Sequence, residues 1–354
     1  MVKLYYKMDK KISEEIIKCS RCGLCMDVCP IYHAKGTETA LLRGKFLQLL
    51  GLIRGDLKWS KKIAYNLDLC LACGKCKKAC PSGIDAVYIF SFIKNKYQTP
   101  FERFFYSAPL FKFKLFWLKI LYLLKYFPKN IKRKKIKSNK GEVHFKGCAS
   151  KSINVHGFNF DNVGKFSCCA LPYYLKGRFD LYEKYKKRNI KLIKEAKKVI
   201  FDCATCYDTV LNYEGLESEQ KDKLVYFTDY YKSKNLSLKD PLKVTFHKPC
   251  HLNGKVFSDI LEILKSIKNL EFVDYEEMDE CCGFSGDFFT RHIKTSSILS
   301  ETKIKNISKT KADIVLTTCP TCLWSLKYGI KLLNTNLKAC DLAEFLDVFC
   351  EIKD

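Results

Sequence analysis

The sequence predicts a multidomain α+β protein, in which a mainly helical N-terminal domain precedes a duplicated α/β cysteine-rich domain with parallel sheets. Three observations support this fold class. Most of the 20 cysteines fall into repeated groups, a four-cysteine motif occurs twice near the N-terminus, and a unit of strand, C-x2-C and helix occurs twice in the C-terminal half. Repeats of this length indicate a duplicated domain. We expect domains at 1–98, 141–240 and 241–354, with a basic aromatic linker at 99–140.

The cysteine content restricts the chemistry. Cysteines make up 20 of 354 residues, which implies either disulfides or bound metal, depending on the redox compartment. The N-terminal sequence MVKLYYKMDKKISEE has neither an apolar h-region nor a small-residue cleavage site, so we predict no secretory signal. We therefore expect a cytoplasmic protein whose thiolates bind metal.

The first repeated motif is C-x2-C-x2-C-x3-C-P, which occurs in CSRCGLCMDVCP and again in CLACGKCKKACP. It is the cysteine run of bacterial ferredoxins, in which the fourth cysteine of each copy binds the cluster of the other copy. Two-residue spacers let three thiolates converge on one cluster face from a single turn of chain. The predicted ligands are Cys19, Cys22, Cys25 and Cys80 for cluster I, and Cys70, Cys73, Cys76 and Cys29 for cluster II.

The spacer between the two motifs contains ETALLRGKFLQLLGLIRG (38–55), which has a helical pattern. We therefore predict a helical ferredoxin domain with two [4Fe-4S] clusters that relay electrons. Zinc held by four cysteines is the alternative, although such zinc sites usually pair two short C-x2-C knuckles.

The second repeat relates KVIFDCATCYDTVLNYE (198–214) to DIVLTTCPTCLWSLKYG (313–329), and extends backwards through a cysteine pair to a single cysteine. The cysteines follow strands or begin helices, where α/β folds place ligands and where helix N-termini stabilise thiolates. We predict metal ligands or redox thiols. The first set is Cys148, Cys168, Cys169, Cys203 and Cys206. The second set is Cys250, Cys281, Cys282, Cys319 and Cys322.

Five thiolates are one more than a cubane cluster needs. Each set could hold a cubane with one free thiol, a rearranged cluster with a bridging cysteine, a zinc ion or a reducible disulfide, and spacing alone does not choose. Three histidines, His247, His251 and His292, are predicted to be hydrogen-bonded structural residues, with a cluster-tuning or proton-donating role as the alternative. Cys340 and Cys350 have no counterpart in the first half and are predicted to be buried free cysteines.

The net charge of +25 is compatible with nucleic acid, an anionic membrane surface or an acidic partner, and equally with a general lysine bias. No helix-turn-helix or basic recognition helix is evident, so we predict no nucleic-acid partner. The aromatic, leucine and lysine-rich segment at 106–127 precedes the basic run KNIKRKKIK (129–137). This linker is predicted either to dock on a membrane or membrane subunit, or to be a packed helical linker. We expect a peripheral protein on the inner face of the cytoplasmic membrane.

Together these motifs resemble the iron–sulfur subunit of glycolate oxidase. The wider group includes the equivalent iron–sulfur component of anaerobic glycerol-3-phosphate dehydrogenase and the catalytic subunit of heterodisulfide reductase, all with cysteine-rich CCG domains. The resemblance rests on LRGKFLQLL, CPSG, CCGFSGDF and TCPTC. It implies an electron-transfer subunit that passes electrons from a partner flavoprotein with FAD, which oxidises glycolate or D-lactate, toward membrane quinone or a membrane subunit. The chain itself has no G-x-G-x-x-G motif for a flavin.

For the heterodisulfide reductase branch, the resemblance implies that each set of five cysteines holds a non-cubane [4Fe-4S] cluster at which a disulfide is cleaved. Both sets are complete here. The first domain departs from the pattern in two ways, since Ala170 replaces the glycine of Cys-Cys-Gly and the preceding gap is shorter. We therefore expect the second site to fit the pattern better.

Overall fold

The structure is a computed structural model that describes residues 10–107, 136–153, 160–166 and 168–353. The chain forms two compact units, which are described separately. One comprises the residues up to Gln98 together with Leu175–Gly177 and Gly283–Leu299, and the other comprises Thr99–Tyr174, Arg178–Cys282 and the residues from Ser300 onward. Most of the predicted basic aromatic linker at 99–140, whether it docks on a membrane or packs as a helical linker, lies outside the described residues. None of the described helices is long and apolar enough to cross a membrane.

The N-terminal part of the first unit is helical throughout its described residues, apart from short loops and turns. Its main helices are α1 (Lys10–Ile17), α2 (Pro30–Lys35), α3 (Leu42–Arg54), α4 (Lys61–Asp68), α5 (Lys75–Lys78) and α6 (Ala86–Tyr97). Helix α3 confirms the helical prediction for the spacer. It buries Phe46, Leu49 and Leu52 on one face and ends at Gly55, which has a left-handed backbone. Such apolar spacing is what places a helix against a core.

The rest of the chain alternates helices with strands. The helices are α7 (Pro100–Phe105), α8 (Cys148–Ile153), α9 (Leu171–Leu175), α10 (Phe179–Glu195), α11 (Ala204–Leu211), α12 (Ser218–Asp222), α13 (Gly254–Ser266), α14 (Phe288–Arg291), α15 (Ile293–Ser308), α16 (Pro320–Leu333) and α17 (Leu342–Val348). Of these, α14 and the first part of α15 belong to the first unit. The strands are β1 (Glu142–Phe145), β2 (Lys198–Phe201), β3 (Leu224–Tyr226), β4 (Asn235–Phe246), β5 (Lys268–Phe272), β6 (Ile314–Thr317), β7 (Lys338–Asp341) and β8 (Cys350–Lys353).

The second unit contains two sheets, both built mainly from parallel strands, as predicted. The first has the order β1-β2-β3, and the second has the order β5-β4-β6-β7. Strand β8 pairs antiparallel with the start of β4, which the sequence analysis did not anticipate. One apolar core includes buried residues from both sheets, such as Phe145, Phe201, Phe246 and Leu316. The two halves of the duplication therefore share a core, and the predicted fold class is confirmed.

A charged network lies inside the first unit around Asp68, at the end of α4. Its carboxylate lies 3.3 Å from Lys94 and 3.7 Å from Lys176. His292 Nε2 lies 3.0 Å from Asp68 Oδ2, and Arg291 forms a further ion pair with the same carboxylate. Burial lowers the pKa of Lys94 to about 8. Lys176 and Arg291 also pair with Asp287. The cations of this network lie close to the His292 ring and oppose its protonation.

Substituting His292 with glutamine is expected to make the protein more resistant to mild acid. Burial, followed by Arg291 and Lys176, lowers the pKa of His292 to about 4. The unfolded chain takes up this proton near pH 6.5, so stability is lost as the pH falls from 6.5 toward 4, by at most about 2 kcal/mol at pH 5. Glutamine takes up no proton. Melting temperatures between pH 7.5 and 5 should fall less steeply for His292→Gln, whereas the exposed control His33→Gln should match the wild type. Equal slopes for all three proteins would contradict the argument.

Candidate iron–sulfur and cysteine sites

The two ferredoxin motifs adopt the same backbone geometry. In the first, Arg21 and Gly23 flank the second cysteine with φ of 61° and 89°, and in the second, Ala72 and Gly74 do so with φ of 52° and 73°. Left-handed residues of this kind turn the chain sharply, and consecutive backbone N–H groups in such turns form anion-binding concavities. Each motif therefore has a loop suited to wrapping around a negatively charged group.

The structure brings together all four cysteines predicted for cluster II. They line a single cavity, and Cys29 begins α2 at its edge. Burial raises the pKa of the Cys76 thiol, and the neighbouring Cys70 and Cys73 thiols raise it further. Thiols crowded in this way ionise readily only when a metal takes up the charge. Four sulfur donors around one cavity fit a [4Fe-4S] cluster.

The four cysteines predicted for cluster I are gathered less completely. Burial raises the pKa of Cys25, and Cys19 is among the thiols close enough to add to this effect. Cys80 packs, partly buried, against the same apolar core as these two. Cys22 is exposed. The donor set still suits a cluster at the surface of the unit, and ligation by these four cysteines remains a prediction.

Lys45 is a feature of the cluster II region that the sequence analysis missed. Its side chain is only 2% exposed, and Nζ donates a 2.5 Å hydrogen bond to the carbonyl oxygen of Leu69. Burial lowers the pKa of Lys45, and the thiols of Cys70 and Cys29 are the strongest groups opposing that change. A signal was present in the sequence, because Lys45 interrupts the apolar face of α3 one residue before Phe46.

In the first cysteine-rich domain, the structure brings all five predicted cysteines together. Cys148 Sγ lies 3.4 Å from Cys168 Sγ. The thiol of Cys169 interacts with those of Cys168 and Cys206, and Cys206 in turn interacts with Cys203. Hydrogen bonds from its two neighbours lower the pKa of Cys169 well below its usual value. One thiolate is thus favoured inside a buried group of thiols, an arrangement that suits metal ligation.

The second domain repeats this arrangement. Cys250 interacts with Cys281, and Cys322 interacts with Cys282 and Cys319. Cys319 stands directly before α16, and hydrogen bonds from the Cys203 and Cys322 thiols lower its pKa. Since thiolates are stabilised at helix N-termini, the second set is also suited to binding metal.

The two sets meet at Cys203 and Cys319. These cysteines occupy equivalent positions, each immediately preceding a helix at the carboxyl end of a parallel strand, and their thiols interact. The backbone N–H of Ala204 donates to the carbonyl of Thr318 at 3.2 Å across the same junction. The two sets therefore form one array of ten cysteines in the second unit, of which eight are buried and two, Cys148 and Cys250, are partly buried. Spacing alone had not indicated that the sets meet.

Hydrogen bonds from buried side chains to backbone carbonyls fix the pair of adjacent cysteines in each domain. In the first domain, Asn189 donates to the Cys168 carbonyl at 2.8 Å and Tyr213 donates to the Cys169 carbonyl at 2.9 Å. In the second, Ser325 donates to the Cys282 carbonyl at 2.5 Å. Different buried side chains thus fix the same turn in the two halves.

The three histidines differ from one another. His292 contacts Asp68 and His251 Nδ1 lies 3.4 Å from Asp208 Oδ2, as expected of structural histidines. Burial acts to lower the pKa of His251, but Cys250 and Asp208 outweigh it and raise the pKa. The structural prediction is wrong for His247. Its ring faces Cys282 and Cys322, and neither ring nitrogen has a hydrogen-bond partner among the described residues.

The remaining cysteines lie elsewhere. Cys340 is on β7 and Cys350 is on β8, and both are partly buried rather than fully buried as predicted. Burial raises the pKa of Cys350 to about 12. The two residues serve as controls for substitutions in the array.

The alanine that replaces glycine in the first domain is tolerated in an unfavourable conformation. Ala170 has φ of 62°, close to the 84° of Gly283 at the equivalent position. A left-handed backbone costs alanine about 1 kcal/mol or more relative to glycine, partly offset by the greater freedom of glycine in the unfolded chain. The sequence departure therefore leaves the turn intact, and its consequence is strain rather than a different loop.

Exchanging the residues at these two positions is expected to have opposite effects on stability. Ala170→Gly should raise the free energy of unfolding by about 0.5 kcal/mol. Gly283→Ala should lower it by about 1–3 kcal/mol, because the new Cβ would lie 2.7 Å from Leu299 Cβ as well as on a strained backbone. Chemical denaturation of both variants with equal metal content measures the difference. Destabilisation by Ala170→Gly would show that the alanine side chain is needed for packing.

Comparison with known families agrees with this layout. A 4Fe-4S dicluster domain matches residues 15–84, and a cysteine-rich domain named CCG matches residues 145–210 and again 244–327. The dicluster match thus lies in the N-terminal helical part of the first unit, and the two cysteine-rich matches lie mainly in the sheet-containing second unit. The chain is an iron–sulfur electron-transfer protein with this domain composition.

The relatives are distant but extend along most of the chain. An uncharacterized iron-sulfur protein of Methanocaldococcus jannaschii is 26% identical over 350 residues, covering 90% of this chain and 69% of the relative. One subunit of the dihydromethanophenazine:CoB--CoM heterodisulfide reductase of Methanosarcina barkeri is 25% identical, covering 94% of this chain and 93% of the relative. The protein named "Probable glycolate oxidase iron-sulfur subunit" of Bacillus subtilis is 22% identical, with the same coverage.

One solved structure resembles the fold. The crystal structure of a hypothetical protein from Helicobacter pylori has a TM-score of 0.53 and 10% sequence identity, covering 97% of this chain and 73% of that protein. At this identity the likeness concerns the fold alone.

Proposed function

We propose that this chain is the iron–sulfur subunit of a flavin-dependent oxidoreductase that acts on a 2-hydroxy acid such as glycolate or D-lactate. A partner flavoprotein with FAD removes two electrons from the acid, and this chain passes them toward membrane quinone or a membrane subunit. Bound iron–sulfur clusters supply one-electron carriers. The pair of ferredoxin loops with matching backbone geometry, one of which gathers Cys29, Cys70, Cys73 and Cys76 around a cavity, carries the proposal.

The contribution of the chain itself is to hold the clusters and set their electrostatic surroundings. The loops would present backbone N–H groups and thiols to each bound cluster, and the buried Lys45 side chain would lie beside two predicted ligands of cluster II, Cys70 and Cys29. The relative named as a glycolate oxidase subunit, which matches along almost its whole length, supports the choice of substrate class.

The test compares the isolated chain with the complex purified from its native source. The chain alone, with its clusters intact, should not oxidise glycolate or D-lactate with a dye acceptor. The native complex should contain FAD, and adding the acid should bleach the visible absorbance of the clusters. A quinone should then restore that absorbance. Oxidation of either acid by the isolated chain, or a native complex without flavin, would overturn the proposal.

A second candidate is reduction of a disulfide at the ten-cysteine array. The observation that favours it is that both sets of five cysteines are complete and meet at Cys203 and Cys319. The relative named as a heterodisulfide reductase subunit matches along 93% of its length. In this reaction the disulfide bond breaks, two electrons arrive from the clusters, and two protons from solvent yield two thiols.

This candidate predicts that the chemically reduced chain converts added disulfides to thiols, and that Cys281→Ser abolishes the conversion while the ferredoxin clusters remain. The control Cys340→Ser should be unaffected. If no disulfide is reduced by a chain with both sets loaded, the second candidate fails, whereas the electron-transfer proposal is not affected.

A further inference from the structure

The buried side chain of His247 lies in a place that neither the repeat nor the matched families explain. It follows directly after β4, and one of its ring nitrogens lies within 4.8 Å of both Cys282 Sγ and Cys322 Sγ, with all three residues buried. The ring is inaccessible to solvent. Leaving two polar nitrogens buried without partners costs free energy, so such a group calls for a ligand.

The chemistry of a histidine side chain suits this position. A neutral imidazole has one nitrogen with a free lone pair, which binds metals, and one N–H that can donate a hydrogen bond. The backbone of Met278 lies beside the ring. The carbonyl of Met278 is suited to take the N–H of the second nitrogen, as commonly occurs with metal-binding histidines.

The first domain lacks this feature. Its histidine, His144, lies one residue before the shared phenylalanine, in VHFKGC, whereas His247 lies one residue after it, in VTFHKPC. His144 Nε2 instead lies 3.2 Å from Asp202 Oδ2. The first set therefore offers sulfur donors, whereas the second offers the equivalent sulfurs and the His247 nitrogen close to two of them. His251 also lies in the second domain, where it interacts with the Cys250 thiol and with Asp208. The duplication has diverged at the position that faces the metal site.

We propose that His247 is a ligand of the metal centre in the second cysteine set, binding through an imidazole nitrogen beside Cys282 and Cys322. This rests on the second set binding a metal, and it is independent of the substrate of the complex. Replacing a thiolate by a neutral imidazole removes one negative charge from the centre. In an iron–sulfur centre such a ligand raises the reduction potential, and in a zinc centre it completes a mixed sulfur and nitrogen set.

The experiment uses the full chain, purified without oxygen and labelled with 15N at histidine only. Metal analysis first compares the wild type with Cys322→Ser. The metal that the variant lacks, iron or zinc, is the metal of the second set. For iron, pulsed electron paramagnetic resonance of the reduced protein measures 15N coupling. For zinc, X-ray absorption at the zinc edge measures the nitrogen shell. His247→Gln and His247→Cys are compared with the controls His144→Gln and His251→Gln.

The expected result is one directly bound nitrogen in the wild type and in both controls, and none in either His247 variant. His247→Cys should retain the metal, because it supplies a sulfur donor in place of the nitrogen, and so distinguishes loss of a ligand from failure to fold. The proposal is overturned if the second set binds no metal, if wild-type metal has no nitrogen ligand, or if the nitrogen signal survives in His247→Cys. Failure to oxidise a 2-hydroxy acid would leave these signals unchanged, so the two proposals fail separately.

Discussion

Lys45→Met is expected to lower the reduction potential of the cluster proposed for Cys29, Cys70, Cys73 and Cys76 by about 60–120 mV. The ammonium group is buried, and its only hydrogen-bond acceptor among the described contacts is the neutral carbonyl of Leu69. A buried cation needs a negative partner, and a cluster with four thiolates would provide one. Reduction adds negative charge to the cluster, so the cation favours the reduced form by about 1.4–2.8 kcal/mol at an effective dielectric constant near 20.

The control for this experiment separates local charge from net charge. Lys45→Arg keeps the positive charge and should shift the potential little, whereas Lys62→Met removes a charge from an exposed site on α4 and should shift it by much less than Lys45→Met. Redox titration followed by electron paramagnetic resonance resolves the two ferredoxin clusters. An unchanged potential in Lys45→Met would mean that the lysine is neutral in the native protein or lies outside the field of the cluster.

Local patterns account for what the sequence predicted well. The two ferredoxin loops were recognisable because their cysteines lie within a single turn of chain, where spacing alone limits the possible geometry. The strand, C-x2-C and helix units were recognisable for the same reason, since helix N-termini follow strand ends within a few residues. Both the helical unit and the parallel sheets follow from these patterns.

Features that depend on contacts between distant segments were not predictable in this way. The junction of Cys203 and Cys319 joins two equivalent positions whose proximity arises only when the two sheets share a core. His247 was misjudged because a histidine near a strand end usually finds a hydrogen bond, and only the folded chain shows that it faces two thiols instead. Ala170 departs from the Cys-Cys-Gly pattern, and only the folded chain shows that its backbone adopts the left-handed conformation of the equivalent glycine.

Lys45 is an intermediate case. Its place on the buried face of α3 was visible as a charged residue in an apolar stripe, but only the tertiary contacts reveal that the surrounding groups are cysteines. A buried charge in a helix pattern is thus a useful signal of a nearby site, although it does not identify that site.

Cys206→Ser and Cys322→Ser are each expected to remove the metal of one cysteine-rich domain and to leave the ferredoxin clusters in place. Two [4Fe-4S] clusters require about 8 iron atoms per chain, so the wild type should contain more metal than this, and each variant should lose the share of one set. The thiols of Cys206 and Cys322 are buried, and neighbouring thiols raise their pKa values. Without a metal these thiols are therefore costly to ionise, whereas a bound metal stabilises them as thiolates.

The comparison with Cys340→Ser and Cys350→Ser makes this test specific. These cysteines lie outside both sets, so substituting them should remove no metal. If one set binds zinc, its variant should lose zinc and no iron, so iron, zinc and sulfide must all be measured.

Because Cys203 and Cys319 link the sets, Cys319→Ser should disturb both centres, whereas Cys322→Ser should disturb mainly the second. A wild type with about 8 iron atoms and no zinc would mean that the array works as thiols. The structure would then favour a disulfide formed and broken within the array over a chain of metal centres.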